Sequence, residues 1–479
     1  MSYVYDENNR AYTTQTWTGM NGGGPGLASG PITITQDGVI ESAGDALILQ
    51  GSGYKIAVNG LVSSTGPGSS ALYFQGSGSP SAINTISIGA TGVVSAGYAG
   101  VRFDEAVNIT NKGHIFGYNA IYSGNNIQTT TTITNSGTII GEVNAITLLG
   151  SGKHVITNSG FIQGMIDLGN YESADTVKNT GTIIGMILLG PGDDTFMGGN
   201  QGETVQDQQG SDNYKLGGGD DIFYAFGAQH NLGTDKVDGG SNAPLNLKLG
   251  QIGDQYIAGD YLGSMAAGSV RINLDSKAHA DEFFLTTLAA NSALDVFSGG
   301  LDSVKNIESV LTGTGNDLVF GNASQNYIST SDGDDVAYGG LGDDMIACGS
   351  GQDHVCGGVG ADILRANHAN GAGDGVQDVF VYLSLKDSTV ALSGRDTIFD
   401  FESDHDRIDL SRLGLTNNNY IGQNTTFSGV KGDAETMVIK TKEGWTIQVD
   451  ANGDKKVDMA IDVADTGHFI VWHYTDFVF

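Results

Sequence analysis

GGLGDDMIA-CGSGQDHVC-GGVGADILR, residues 339–365, is one nine-residue phrase written three times. Its frame is GGxGxDxUx, with U apolar, and Cys348 stands in for the first glycine of the middle unit. The frame extends back to Thr312 through TGTGNDLVF, GNASQNYIS and TSDGDDVAY. Its sixth place holds Asp317, Asn326, Asp335, Asp344, Asp353 and Asp362, and its eighth holds Val319, Ile328, Ala337, Ile346, Val355 and Leu364. Glycine permits the φ > 0 turn that lets carbonyls and a carboxylate converge, while the eighth residue points into a core. Each unit thus supplies a turn and a short strand, and two units close a coil. Asp317, Asp335 and Asp353 then share one edge, and Asp344 and Asp362 the other. The carbonyls of Gly339, Gly342, Gly357 and Gly360 are expected beside them. Such all-oxygen ligation suits Ca²⁺ rather than zinc or copper.

A second block, LGPGDDTFM, GGNQGETVQ, DQQGSDNYK and LGGGDDIFY (189–224), places Asp194, Glu203, Asp212 and Asp221 at the sixth position, with Phe196, Val205, Tyr214 and Phe223 inward. Glu203 and Asn326 depart from the pattern, so the pairs 203/221 and 326/344 are expected to be the weakest sites. Cys348 and Cys356 sit at the first and ninth places of one unit, separated by a turn and a strand. That separation predicts free thiols, because a bridge needs Cα atoms within about 7 Å.

Composition agrees with a repeat architecture: 74 glycines stand against 6 prolines. Asp and Glu number 54 against 22 Lys and Arg, a formal charge of −32. Self-repulsion of that size disfavours compaction until cations neutralise it, and it makes nucleic acid and anionic membrane poor partners. With 39% hydrophobic residues the chain is too apolar to be a solvated acidic coil. MSYVYDENNR carries neither a basic n-region nor an apolar h-region, and no run approaches the roughly 18 apolar residues of a membrane span.

The nonapeptides resemble those of RTX proteins, the calcium-dependent toxins, serralysin-type proteases and lipases of Gram-negative bacteria. The likeness continues through VQDVFVYLSLKDSTVALSGRDTIFDFESDHDRIDLSRL (376–413), VDANGDKKVDMAID (449–462) and the terminal Asp476-Phe477-Val478-Phe479, which look like the module that follows the roll in serralysins. Across residues 189–479 the resemblance implies Ca²⁺ binding and export by a type I secretion apparatus to the exterior or cell surface. It does not imply proteolysis or lipolysis, because neither HExxH nor GxSxG occurs. Asp450, Asn452, Asp454 and Asp458 have EF-hand-like spacing, but Lys455 stands where that loop takes glycine, and a hairpin turn is the expected reading.

Residues 34–188 carry a longer period: ITQDGVIES (34), IAVNGLVSS (56), IGATGVVSA (88), ITNKGHIFG (109), ITNSGTIIG (133), ITNSGFIQG (156) and VKNTGTIIG (177). Each alternating strand is followed by a second, such as ALILQG or ALYFQG, and the set reads as coils of a right-handed parallel β-helix. The longest step leaves room for a loop around Ser77–Ser81. Asn111, Asn135, Asn158 and Asn179 are expected to stack as a structural ladder. If Leu47, Leu72, Val101, Ile121 and Ile146 point inward, then Ile48, Tyr73, Arg102, Tyr122 and Thr147 stack outward, with Gln50, Gln75 and Asp104 beside them. Tyr73, Arg102, Asp104 and Tyr122 form a candidate sugar-binding face.

The expected organisation is therefore all-β: an N-terminal cap (1–33), a parallel β-helix (34–188), a first β-roll block (189–224), a β connector with a loop insertion and strands at 270–276 and 281–290 (225–311), a second β-roll block (312–365) and a C-terminal β module (366–479). The functional expectation is a secreted calcium-binding protein that folds on extracellular Ca²⁺ and binds polysaccharide through its β-helix. The alternative is an exopolysaccharide-degrading glycanase or lyase. Against the alternative, no two acids of the β-helix are forced across one face at the roughly 5–9.5 Å that glycoside hydrolysis needs.

Overall fold

A computed structural model of the chain describes residues 31–76, 82–124, 127–206, 209–225, 234–240, 261–264, 269–281, 286–295, 301–365, 367, 374–465 and 470–479, with short strands at Tyr3–Tyr5, Ala11–Tyr12 and Thr16–Trp17. The loop expected at Ser77–Ser81 and residues 282–285 of the connector lie outside the described residues. The described residues are all-β, with three short 3-10 turns and no α-helix, and no helix among them is long and apolar enough to cross a membrane. The chain divides into two compact units, residues 1–224 with 230–237, and residues 225–229 with 238–479.

In the first unit, parallel strands stack coil upon coil. The inward column runs unbroken through Leu47, Leu72, Val101, Ile121, Ile146, Ile166, Ile187, Val205 and Phe223. All are buried, and each contributes about 1.5–3 kcal/mol by leaving water. The early coils hold three strands rather than the expected two, for example Asn84–Ile88, Val93–Ala96 and Ala99–Phe103. The alternating run breaks at its glycine, where backbone passes backbone: a Cβ on Gly60 would lie 2.1 Å from the Gly38 carbonyl oxygen. In the next coils the second and third strands merge, as in His114–Ser123 and Thr138–Thr147. The nonapeptide coils at Thr195–Met197, Thr204–Gln206, Asn213–Lys215 and Ile222–Ala225 keep two short strands and continue the same columns.

The asparagines stack as expected. Asn111 Nδ2 donates to Asn135 Oδ1, Asn135 to Asn158 and Asn158 to Asn179, each at 2.7 Å and each buried. Asn179 Nδ2 then donates to Glu203 Oε1 at 2.6 Å, so the amide ladder passes into the acidic row without a gap.

In the second unit, Leu318–Phe320, Val336–Leu341 and His354–Val359 form one face of the roll, and Tyr327–Ser329, Met345–Ala347 and Ile363–Arg365 the other. The roll does not stop at Arg365. Val379–Val381 and Arg407–Asp409 extend the first face, and Thr397–Phe399 the second. In the connector, Val270–Asn273 pairs in parallel with Leu318–Phe320 and antiparallel with Ser292–Asp295, and a short hairpin joins His279–Asp281 to Thr286–Leu288. Glu435–Lys440, Gly444–Asp450 and Met459–Ala464 make an antiparallel meander. Its turn carries the EF-hand-like residues, and Asp450 there spends its oxygens on the chain itself, accepting the N–H groups of Gly453 (2.8 Å) and Lys455 (2.7 Å). Cys348 and Cys356 are buried and free, as their spacing predicts.

Asn135→Leu should unfold more easily than the parent by about 1–3 kcal/mol, because it strands the amides of Asn111 and Asn158 in the core. Denaturant unfolding of the whole chain measures this, and an unchanged midpoint would contradict the ladder's contribution.

Candidate metal centre and outward face

The acidic residues form rows in which each carboxylate grips the backbone of the preceding coil. Asp335 Oδ1 accepts the Asp317 N–H at 2.8 Å, and Asp353 Oδ1 accepts the Asp335 N–H at 2.8 Å. On the opposite edge, Asp344 Oδ1 accepts from Asn326, and Asp362 Oδ1 from Asp344, each at 2.7 Å. The first unit repeats the device: Asp212 accepts from Asp194 at 2.6 Å, and Asp221 from Glu203 at 2.7 Å. The sequence-predicted carboxylates therefore stand one above another.

Each row is longer than the glycine frame. In the first unit Asp194 accepts from Asp175, Asp175 from His154, and Asp235 from Asp212. In the second, Asp378 accepts from Asp353, Asp406 from Asp378, and Asp396 from Asp362. The added members lack the full glycine frame, though Gly233 and Gly394 stand two places before Asp235 and Asp396, and all keep an apolar residue two places on, in DTV, DKV, DVF, DRI and DTI. That D-x-U triplet, which the glycine frame passes over, is the signal that marks them in the sequence.

One oxygen of each carboxylate is thus committed to an N–H. The other, in Asp194, Asp344, Asp353, Asp362 and Asp378, is buried with no hydrogen-bond donor among the described residues. Burial, reinforced by the neighbouring carboxylates, pushes Asp194 up to about 8, and Asp344 and Asp353 up to about 9. A buried, unmatched anion is costly, and such a group either keeps its proton or takes a cation. The glycines leave the room: a Cβ on Gly357 would lie 2.2 Å from Asp362 Oδ2, and one on Gly339 2.3 Å from Asp344 Oδ2. Gly342, at φ 114°, turns the chain in the left-handed region. No group of three or more Asp, Glu, His or Cys side chains placed to hold a metal ion occurs among the described residues. A cation in a row would therefore complete its shell with backbone carbonyls, those of Gly339, Gly342, Gly357 and Gly360 in the second block. This donor set, hard oxygen throughout, fits Ca²⁺.

The outward column of the β-helix also assembles. Tyr73 pairs in register with Arg102, and Arg102 with Tyr122. The Arg102 guanidinium carbon lies 4.4 Å from the centre of the Tyr73 ring. Tyr73 Oη donates to Asp104 Oδ2 at 2.7 Å. Burial and that bond push the Tyr73 hydroxyl up to about 12. Tyr98, which column reasoning omits because it sits at a corner of the coil, brings its ring to 5.8 Å from that of Tyr122.

Residues 276–479, less than half of the chain, match the family described as peptidase M10 serralysin C terminal. This domain is tied to RTX-type proteins secreted by type I systems. The match starts well inside the 189–479 span over which the sequence resembles that group. None of the curated proteins matches the chain.

Metal-free, the roll should be steadier in acid than in base. Folded Asp344 and Asp353 hold their protons to about pH 9, whereas the unfolded chain releases them near pH 4. Between those limits the folded state binds more protons, so its stability falls as pH rises. Hydrogen exchange of residues 312–365 in chelator should show protection declining from about pH 5 to pH 9, and a rise would contradict the burial argument.

Proposed function

We propose that this chain is an exported, calcium-folded protein that binds polysaccharide through the Tyr73–Arg102–Tyr122 face of its β-helix. The single observation that carries the binding reading is the register of that face, which gathers aromatic rings, a guanidinium and a carboxylate on three adjacent coils. Rings of this kind present apolar surface with a polar tip, suited to sugars. A binder is favoured over an enzyme because the nearby carboxylates have other work. Asp45 accepts the Ser70 N–H, Asp104 accepts the Tyr73 hydroxyl, and Glu105 is buried. Glycoside hydrolysis needs a pair of carboxylates set about 5–9.5 Å apart across the scissile bond.

Calcium supplies positive charge to the buried rows and so stabilises the coils. In the second block Asp317, Asp335, Asp344, Asp353 and Asp362 would hold it with the glycine carbonyls, and in the first Asp194, Glu203, Asp212 and Asp221. Sites with Kd of about 10⁻⁴–10⁻³ M stay empty in the cytosol and fill outside. At tenfold excess each adds about 1.4 kcal/mol. The rolls would then order only after export by a type I system, a route supported by the serralysin C-terminal match.

Two measurements test these parts. Gly357→Ala should lower the heat of calcium binding by about one site in titration calorimetry, since its methyl would occupy the space of Asp362 Oδ2. An undiminished titration would remove that row from the metal's ligands. Purified protein should be retained on bacterial exopolysaccharide in millimolar Ca²⁺ without releasing reducing ends. Cleavage would replace the binder with the glycanase or lyase.

A further inference from the structure

Arg102 is held open on a surface where a partner is close at hand. Asp104 and Glu105 follow Arg102 closely in sequence, so candidate counterions are at hand. Yet no hydrogen bond or ion pair to its guanidinium occurs among the described residues, and its Nε is buried without an acceptor. One candidate, Asp104, lies two residues along the same face and accepts the Tyr73 hydroxyl at 2.7 Å. The same tyrosine ring lies under the guanidinium at 4.4 Å. Tyr73 therefore makes two contacts at once: its ring stacks on the Arg102 guanidinium and its hydroxyl donates to Asp104. A guanidinium immobilised before its ligand arrives loses little further entropy on binding, and its planar fork matches a carboxylate in two parallel bonds.

The wider field permits such a ligand. Between residues 31 and 188 there are nine Asp and Glu against five Lys and Arg, so the β-helix carries little of the chain's formal charge of −32. The excess lies in the segments that carry the acidic rows.

We infer that the sugar recognised at this face is a uronate: its carboxylate takes the free edge of Arg102 while its ring lies against Tyr122. This rests on the polysaccharide reading above and adds the charge of the ligand to it. Asp104 is a positioning residue that occupies the Tyr73 hydroxyl, and its own negative charge weakens anion binding.

The test uses the full chain in saturating Ca²⁺ with short glucuronate oligosaccharides, their carboxyl-reduced neutral counterparts and sulfated oligosaccharides of equal length, followed by calorimetry. Wild type should prefer the carboxylated form by about tenfold or more, as expected for a charge-assisted bond. R102Q should abolish that preference, and R102K should restore part of it. D104N should raise affinity for the carboxylated form, a gain that misfolding cannot produce. Equal binding of reduced and carboxylated forms, preference for the sulfated one, or retained preference in R102Q would overturn the uronate assignment while leaving polysaccharide binding standing. Binding of none of the three would overturn both readings together.

Discussion

Every coil of the acidic rows depends on one contact: a carboxylate oxygen accepting the backbone N–H of the residue at the matching place one coil before. The bond is short, 2.6–2.8 Å between Asp194 and Asp212 or between Asp335 and Asp353, and it stitches coils together along their edges where the sheets do not reach. It also forces the problem that defines the molecule. Carboxylates that must sit in register must sit near one another, and burial takes away the water that would screen them. The Oδ2 atoms of Asp344 and Asp362 are the residue of that compromise. Protons or cations must make up the difference, which ties the fold to its ionic surroundings.

The β-helix solves the same edge with neutral chemistry. At the turn where the rolls place carboxylates, Asn111, Asn135, Asn158 and Asn179 place amides that donate upward and accept from below. An amide satisfies both neighbours by itself, so these coils require no counterion. The exchange occurs at one rung, Asn179 to Glu203. Below it the fold is set by apolar burial, as in the column through Val101 and Ile146; above it, charge balance is added to the same burial.

Much of this was legible in the sequence because periodicity and chemistry coincide. The glycine frame located Asp317 through Asp362, and the alternation of Leu72 and Tyr73 or Val101 and Arg102 fixed which face each residue takes. What escaped did so for physical reasons. Asp175, Asp378, Asp396 and Asp406 hold their places through a bond to the preceding coil, without the tight glycine turn that advertises the others. The three-strand coils escaped because a glycine at a close backbone crossing bends the chain without interrupting the alternation of apolar residues. Tyr98 escaped because corners have no period. The pairing of Tyr73 with Asp104 spans two coils, and only the register reveals it.

The interchangeability of rungs has an evolutionary side. Asn158, Asn179, Glu203 and Asp221 occupy successive places in one column, and each of the last three accepts a hydrogen bond from the rung beneath, from a side-chain amide at Asn179 and Glu203 and from a backbone N–H at Asp221. A gene duplication that added or deleted one whole coil would leave every remaining junction chemically intact. Length is then a free variable for this architecture.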